Sequence, residues 1–172
     1  MTDGTRIWSK AQRDLFTRLD ALGIAHDTVR HDPVFTVEQA QAVRDEVAGA
    51  HTKNLFLKDK KGRLFLLVLE ETASVDLKRV HQAIGASGRV SFGSAEALLE
   101  HLGVTPGSVT AFAVMNDPER HVTLVIDEPL LEADHICAHP LSNDATTVVS
   151  KEDFLRFMEA CGHPPLVLKL SG

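Results

Sequence analysis

Histidine and cysteine alternate in the segment His135-Ile136-Cys137-Ala138-His139. If this segment is a β-strand, the three polar side chains lie on one face, where they could bind zinc. Residues four apart on a strand are separated by about 13 Å, which is too far for both histidines to bind the same ion. A zinc enzyme is therefore an alternative that needs two of these residues and ligands from elsewhere, and we expect neither a metal nor another cofactor. Cys137 as a nucleophile would need an electropositive setting, which its sequence neighbours do not provide.

Basic residues occur at two places around a predicted β-hairpin. Lys53-Asn54 stands at the beginning of the first strand, where a cation can bind a phosphate or a carboxylate. A second group surrounds the turn and consists of Lys58, Lys60, Lys61 and Arg63. The chain as a whole is acidic, with 18 Lys and Arg against 24 Asp and Glu and a net charge of −6. Proteins that coat duplex DNA are usually basic, so we expect nucleic acid only as a focused contact, and a non-catalytic nucleic-acid-binding protein is the alternative function.

A loop with strong turn chemistry extends from Gly103 to Val109 and contains Pro106-Gly107-Ser108. It lacks the Gly-Lys-Ser/Thr ending of a phosphate-binding P-loop, and the chain has neither a dinucleotide fingerprint nor a Gly-x-Ser-x-Gly nucleophile motif. The residues alone therefore predict a turn at this position and no familiar catalytic motif.

The spacing of apolar and capping residues predicts helices that alternate irregularly with strands. Tight turns join several of the strands, which favours a mixed, partly antiparallel sheet packed with helices, an α/β fold of the α+β type. The apolar run 64–69 predicts a central strand buried on both faces. The predicted helices cover 8–22, 36–48, 76–84, 94–102 and 150–161. The predicted strands cover 26–31, 53–57, 63–69, 110–115, 121–126, 135–139, 146–149 and 166–170.

Length and composition indicate an ordinary globular protein. The chain has 172 residues, of which 44% are hydrophobic and 24% charged, so we expect a single domain over 1–172. No apolar run is long enough to span a bilayer and the N-terminus has no apolar signal core, so we expect a cytoplasmic protein without a membrane partner. Cys137 and Cys161 are too few for a disulfide framework.

Several segments, taken in order, resemble the YbaK/ProX family of aminoacyl-tRNA deacylases, which are relatives of the editing insertion domain of bacterial prolyl-tRNA synthetase. The resemblance extends over nearly the whole chain, from about residue 9 to residue 170, and its order and spacing are more specific than any single motif. Within the family it is nearest to the alanine-clearing ProX branch, with the cysteine-clearing branch next. The segments are Lys53-Asn54-Leu55-Phe56-Leu57-Lys58-Asp59, Val75-Asp76-Leu77-Lys78, Leu102-Gly103-Val104-Thr105-Pro106-Gly107-Ser108-Val109-Thr110 and Ala138-His139-Pro140-Leu141-Ser142-Asn143.

The resemblance implies a hydrolase that deacylates mischarged Ala-tRNA(Pro) in trans, through a size-excluding pocket and a water molecule that the substrate ribose helps to position. Cys-tRNA(Pro) or another aminoacyl-tRNA is the alternative substrate. The partners it implies are the acceptor end of a mischarged tRNA and, as a further partner, prolyl-tRNA synthetase, with the chain as a monomer or weak homodimer. The residues expected to be catalytic are Lys53, Gly107, Ser108 and His139. Those expected to bind the substrate are Asn54, Gly103, Pro106, Val109, Pro140 and Asn143.

Overall fold

The computed structural model describes residues 7–171. Its α-helices are α1 (Lys10–Ala21), α2 (Val37–Glu46), α3 (Val80–Ile84), α4 (Ala95–Leu102) and α5 (Lys151–Ala160). Its strands are β1 (Asp27–Arg30), β2 (Ala50–Lys58), β3 (Leu64–Glu70), β4 (Ser91–Phe92), β5 (Val122–Asp127), β6 (His135–Ala138), β7 (Ala145–Ser150) and β8 (Leu166–Leu168). Short 3-10 helices cover Pro106–Ser108, Ala111–Asn116 and Glu128–Glu132. None of the helices in this part of the chain is both long and apolar enough to cross a membrane.

The strands form one mixed sheet, which confirms the predicted fold class. Its order is β1-β7-β6-β2-β3-β5-β8, and β4 pairs with the free side of β2 near the hairpin turn. The pairs β1–β7, β6–β7 and β2–β3 are antiparallel, whereas β2–β6, β3–β5 and β5–β8 are parallel. Strand β3 is an interior strand between β2 and β5, and its residues from Leu64 to Leu69 are all buried, as the continuous apolar run predicts.

The core divides between the two faces of the sheet. The main core cluster lies on one face and contains Leu15 of α1, Leu98 of α4 and Phe154 of α5. The opposite face carries a cluster under α3 and a small cluster under α2, which includes Val43. Strands β2 and β3 contribute alternate residues to these faces, and this alternation decides which of their side chains reach the functional site.

Local sequence signals account for most of the helix boundaries. Ser9 and Thr36 each form a reciprocal cap, in which a glutamine three residues later bonds back to the cap residue. Ser94 and Ser150 cap α4 and α5 through their hydroxyl groups, as expected. Helix α3 is shorter than predicted, because Asp76 forms a preceding turn instead of a helix cap.

The prediction of a strand at 110–115 is wrong. This segment forms the 3-10 helix Ala111–Asn116, which begins where the hydroxyl of Thr110 accepts a hydrogen bond from the N–H of Phe112. The residues from Ala111 to Val114 are all fully buried. A short apolar run surrounded by protein on every side has no helical or strand periodicity, so its sequence does not distinguish the two.

Candidate functional site

Lys53 and Asn54 are adjacent in sequence, but their side chains lie on opposite faces of β2. Lys53 is paired across the hairpin with Leu69, which belongs to the cluster under α3, and Asn54 is paired with Val68 of the main core. Of the predicted site residues, His139 lines one cavity, and Asn54, Pro106 and Val109 line a second.

The first cavity contains His139 and lies beside α2. The Nδ1–H of His139 donates a hydrogen bond of 2.9 Å to the carbonyl oxygen of Ala145. Burial is the main cause that lowers the pKa of His139 below 6.5, and the nearby His31 and His51 add to it, against the Ala145 bond and Glu71. At neutral pH the ring is therefore neutral, with its proton on Nδ1 and the lone pair of Nε2 available. The cavity is lined by Val34, Ala40, Val43, His51, Thr52, Glu71, Cys137, Ala138, His139 and Thr146.

Lys53 lies on the same face of the sheet as His139. Strands β2 and β6 are parallel, with Ala50 beside Ile136 and His51 beside Cys137. The observed pairing ends there, and Lys53 and His139 each lie two residues further along their segments, His139 directly after the end of β6. Within residues 7–171, the half-buried ammonium group of Lys53 forms neither an ion pair nor a hydrogen bond. Its charge is thus available to a ligand.

The second cavity lies on the Asn54 side of β2 and has a volume of about 310 Å³. The amide Nδ2 of Asn54 donates to the carbonyl oxygen of Val109 over 3.2 Å. The amide oxygen of Asn54 is buried and accepts no hydrogen bond from the described residues. Asn54, Pro106 and Val109 are brought together here as expected, in a cavity lined by Asn54, Phe56, Phe92, Gly93, Ala95, Leu98, Pro106 and Val109.

The turn Pro106–Ser108 projects between these regions. The N–H of Ser108 donates to the carbonyl oxygen of Thr105 over 2.9 Å, so it is not free to bind a substrate oxygen. The N–H of Gly107 donates to no other residue in the described part of the chain. Pro106 and Gly107 are exposed, whereas Ser108 is buried. Of Gly107 and Ser108, therefore, only Gly107 has a backbone N–H that can donate to a ligand in this conformation.

The loop between β6 and β7 contacts this turn. The amide nitrogen of Asn143 donates to the carbonyl oxygen of Val34 over 3.5 Å. It also faces Gly107, where a Cβ atom would lie 3.6 Å from Asn143 Nδ2 and 3.8 Å from the ring of Phe35. Asn143 thus links the turn to the segment before α2.

Two further residues of the β6–β7 loop fix its path. Pro140 is buried, and the following residue, Leu141, adopts a left-handed φ of 67°. Such backbone strain in a non-glycine residue is often found at functional sites. Pro140 therefore helps to fix the backbone that follows His139.

Gly103 has a different place from the other predicted site residues. It ends α4 with a left-handed φ of 67°, and a Cβ there would lie 3.0 Å from Asn116 Nδ2. The same Asn116 nitrogen donates to the carbonyl oxygen of Leu102 over 2.9 Å. Gly103 therefore shapes the start of the loop and lines neither of the two cavities.

The structure adds residues that the sequence analysis did not single out. Glu71 and Thr52 line the cavity of His139, and Glu71 pairs with Arg44 at 3.2 Å. Phe35 and Phe92 are exposed by 76% and 62% beside the Pro106–Ser108 turn and the second cavity. The exposure of these aromatic side chains depends on tertiary packing, so no local sequence signal indicates it.

Cys137 is not suited to nucleophilic or metal-binding chemistry. Burial, with a smaller contribution from Glu71, raises the pKa of its thiol to about 12. The thiol therefore stays protonated, and it donates a weak hydrogen bond to the carbonyl oxygen of Ala48. His135 is exposed at the other end of β6, so the alternating histidines and cysteine do not form one site.

Comparisons with known proteins identify the class. Residues 31–157 match the family model of the aminoacyl-tRNA editing domain. The chain is 36% identical over 154 residues to the prolyl-tRNA editing protein ProX of Acetoanaerobium sticklandii, covering 89% of this chain and 93% of that protein. It is 38% identical over 164 residues to the mouse prolyl-tRNA synthetase associated domain-containing protein 1, covering 93% and 96% of the two.

A solved structure described as a candidate trans-editing enzyme for prolyl-tRNA synthetase shares the fold, with a TM-score of 0.69 at 19% identity over 95% of this chain and 99% of that one. The chain belongs to the aminoacyl-tRNA editing domain family. It is an enzyme of the aminoacyl-tRNA deacylase class, as the resemblance implied.

Proposed function

We propose that this enzyme clears alanine from mischarged Ala-tRNA(Pro) in trans. The observation that carries the proposal is an unpaired lysine, Lys53, on strand β2, together with a neutral histidine, His139, directly after the neighbouring parallel strand β6. The names of the relatives refer to prolyl-tRNA and so support proline tRNA as the substrate tRNA. The ProX-like order of segments supports alanine as the amino acid that is removed.

In the proposed mechanism, Lys53 binds the phosphate of the terminal nucleotide and holds the aminoacyl ester at the site. The Nε2 lone pair of His139 accepts a hydrogen bond from the ribose hydroxyl or from the attacking water. The N–H of Gly107 donates to the ester carbonyl oxygen as negative charge develops there. Water adds to the carbonyl carbon, the bond between that carbon and the ribose oxygen breaks, and the ribose oxygen takes a proton. Free alanine and deacylated tRNA leave.

No protein nucleophile is needed for this reaction, because an aminoacyl ester is already reactive. Positioning a water molecule and stabilising the developing oxyanion supply the main rate enhancement. The free hydroxyl of the terminal ribose is the group that we expect to orient the water. This accounts for a deacylase site that contains a lysine, a histidine and backbone donors but no reactive cysteine or serine motif.

The pocket also has to spare correctly charged Pro-tRNA(Pro). A synthetase site built for proline cannot strongly reject alanine, since a missing methylene is worth only about 1–3 kcal/mol. A second site reverses the preference if its walls admit alanine and exclude the proline ring. We propose that Pro106, Val109 and Asn143 form this wall, with Pro106 contributing a fixed backbone angle. Asn54 and Pro140 hold the wall and the histidine loop in place, and Gly103 sets the start of the loop.

The remaining expectations are part of the same proposal. The enzyme acts as a single domain over 1–172, in the cytoplasm, as a monomer or weak homodimer. It binds the acceptor end of the tRNA, and prolyl-tRNA synthetase is a further partner that would hand over the mischarged product. The exposed Phe35 and Phe92 flank the entrance through which an unpaired 3′ end would pass.

Parallel deacylation of Ala-tRNA(Pro), Cys-tRNA(Pro) and Pro-tRNA(Pro) tests the proposal. Rapid loss of alanine, with proline retained, is the expected result. Preferential loss of cysteine would retain the mechanism and reassign the substrate. Hydrolysis of none of the three would contradict the proposal, and tight, salt-sensitive binding without turnover would then favour the non-catalytic nucleic-acid-binding alternative.

A further inference from the structure

Three potential metal ligands converge outside the two cavities described above. His101 lies in the last turn of α4, Asp117 follows the 3-10 helix Ala111–Asn116, and His121 directly precedes β5. Their ligand atoms all lie within 4.8 Å of one another. This cluster is separate from the alternating histidines and cysteine of β6, and its members come from one segment of the chain, 101–121.

The carboxylate of Asp117 is buried and held in a fixed orientation. Its Oδ2 accepts hydrogen bonds from the N–H of Val122 at 2.8 Å and from Nε2 of His163 at 3.0 Å. Its Oδ1 accepts one bond, from the N–H of His121 at 3.1 Å. Because a carboxylate oxygen has two lone pairs, Oδ1 keeps one free on the side of the histidine rings. The His163 contact resembles the outer-sphere hydrogen bonds that orient metal ligands.

The surroundings favour a cation. The three residues line a cavity of about 270 Å³ together with Glu100 and Glu119. Glu100 Oε2 lies 3.8 Å from Nε2 of His101, and Glu119 Oε2 lies 3.4 Å from Nε2 of His121. No lysine or arginine within residues 7–171 forms an ion pair with these carboxylates. The side chains that contact the carboxylates of this cavity within residues 7–171 are histidines, so a cation bound by these imidazoles would also lie beside the carboxylate charges.

We propose that His101, Asp117 and His121 form a binding site for a divalent transition-metal ion of the zinc type. Two imidazoles and one carboxylate suit zinc and its neighbours, whereas magnesium and calcium prefer oxygen ligands alone. Tetrahedral zinc with ligands at about 2.0–2.1 Å places ligand atoms about 3.3 Å apart, so the present cluster has to contract by about 1.5 Å at most. His121, whose side chain is 47% exposed, has room for this adjustment, and Glu119, Glu100 or water supplies a fourth ligand.

Such an ion would brace the loop that carries Pro106 and Gly107. His101 precedes this loop at the end of α4, and Asp117 follows it after the 3-10 helix. The two ends are already joined by the hydrogen bond from Asn116 to Leu102. A metal ion would add a second link between them, so it would stabilise the loop without touching the substrate.

Zinc binding to the full chain, with any purification tag removed, tests the proposal by titration calorimetry and by metal analysis after dialysis. We expect about one equivalent of Zn²⁺ with a micromolar or lower Kd, no competition from millimolar Mg²⁺, and a raised Tm that chelator reverses. Hydrogen exchange of the amides between 101 and 122 should slow when zinc is added.

His121→Ala is the main variant, because His121 is partly exposed and its loss should leave the fold intact. We expect His121→Ala and His101→Ala each to weaken zinc binding at least about tenfold, while the metal-free Tm stays close to the parent value. His26→Ala is the matched control, since His26 also lies beside a carboxylate, Asp20, but on another part of the surface. The proposal fails if the parent chain binds no zinc, or if the affinity is unchanged in both His101→Ala and His121→Ala.

Discussion

The hairpin turn at the end of strand β2 and the middle of that strand differ in how their polar groups are satisfied. At the hairpin turn, the buried carboxylate of Asp59 accepts hydrogen bonds from the N–H groups of Lys61, Arg63 and Ser87 and from the side chain of Arg63. Around the middle of the strand, Lys53 has no partner among the described residues and the amide oxygen of Asn54 is buried without one. A buried unsatisfied polar group costs about 1–3 kcal/mol. The fold therefore satisfies its own polar groups at the turn and leaves Lys53 and the amide oxygen of Asn54 unpaired among the described residues, where a substrate can bind them.

The basic residues on and around β2 likewise fall into two groups, those that stabilise the hairpin turn and one that is free to bind a substrate. Arg63 is bound to Asp59 and to the carbonyl oxygen of Gly85, so it stabilises the turn. Lys60 covers Gly88 with its aliphatic stem. Lys53 is one strand-length away and carries a charge that no described residue neutralises, which makes it the basic residue that we expect to matter for catalysis.

Replacing Lys53 by alanine should therefore have the largest effect. We expect Lys53→Ala to lower kcat/KM for Ala-tRNA(Pro) by about 10³-fold, because the variant loses the charge that holds the terminal phosphate. The Tm should stay unchanged, since Lys53 stabilises no described partner. Lys58→Ala, at the exposed end of the same strand, is the control and should retain parental activity. Parental turnover by Lys53→Ala would exclude the proposed role.

Local signals made much of this arrangement predictable. The hairpin, its buried second strand and the caps at Thr36, Ser94 and Ser150 follow from short-range chemistry, and the structure confirms them. The resemblance supplied the residues of the site, but not how the structure divides them. That Lys53 and Asn54 lie on opposite faces follows from the alternation of side chains along the predicted strand, but what each side chain contacts depends on tertiary packing.

Several contacts that shape the site depend on how the loops fold, so the sequence alone does not predict them. Asn143 meets Gly107 and Val34, and His139 bonds Ala145 through a loop with a left-handed leucine. The N–H of Ser108 donates to the carbonyl oxygen of Thr105 within the turn, which the residue types do not reveal. Asp117 and His121 are four residues apart on one turn, but His101 joins them only through the packing of α4 against the 3-10 helix Ala111–Asn116, so the cluster forms no recognisable motif.

Replacing His139 should have the next largest effect on activity. The direction in which activity changes with pH follows from the protonation state of the ring. Because burial lowers its pKa below 6.5, the ring is neutral at pH 7 and gains a proton only in more acidic solution. Protonation removes the Nε2 lone pair, so kcat/KM should fall as the pH decreases through the lowered pKa. We expect His139→Gln to reduce activity by about 10²-fold and to lose this acidic decline.

A pH–rate profile at saturating and limiting substrate measures this effect. His135→Ala is the matched control, because His135 lies on the same strand but is exposed at its far end. That control should keep both the activity and the acidic decline. An unchanged profile in His139→Gln would assign the titrating group to another residue.

Shortening Val109 should have a smaller effect, which changes the selectivity between aminoacyl-tRNAs and not the rate of alanine removal. The side chain lines the Asn54 cavity, and only its carbonyl group bonds to Asn54, so Val109→Ala keeps that hydrogen bond. Removing the two methyl groups enlarges the proposed wall. We expect the preference for Ala-tRNA(Pro) over Pro-tRNA(Pro) to fall about tenfold, in line with the value of a methylene in a close-fitting pocket. Val167→Ala, at an exposed edge strand, should leave the ratio unchanged.

Asp59 should affect activity least, because its bonds stabilise the turn and not the site. Burial would raise its pKa, but the hydrogen bonds from Ser87, Arg63 and Lys61 outweigh it and lower the pKa from 3.8 to about 2. A carboxyl group whose pKa is lower in the folded chain stabilises the fold above the unfolded value. Its contribution is fully present above about pH 5 and is lost as the pH falls through 3.8 towards 2.

Asp59→Asn should therefore lower the urea midpoint at pH 7 and leave kcat/KM unchanged at temperatures well below the Tm. The difference between Asp59→Asn and the parent should shrink as the pH decreases from 5 to 2.5, because the parent loses the same interactions by protonation. Asp76→Asn, on the exposed turn before α3, is the control and should show no such pH dependence. If Asp59→Asn instead abolished deacylation while the protein stayed folded, the hairpin turn would contribute to catalysis and not only to stability.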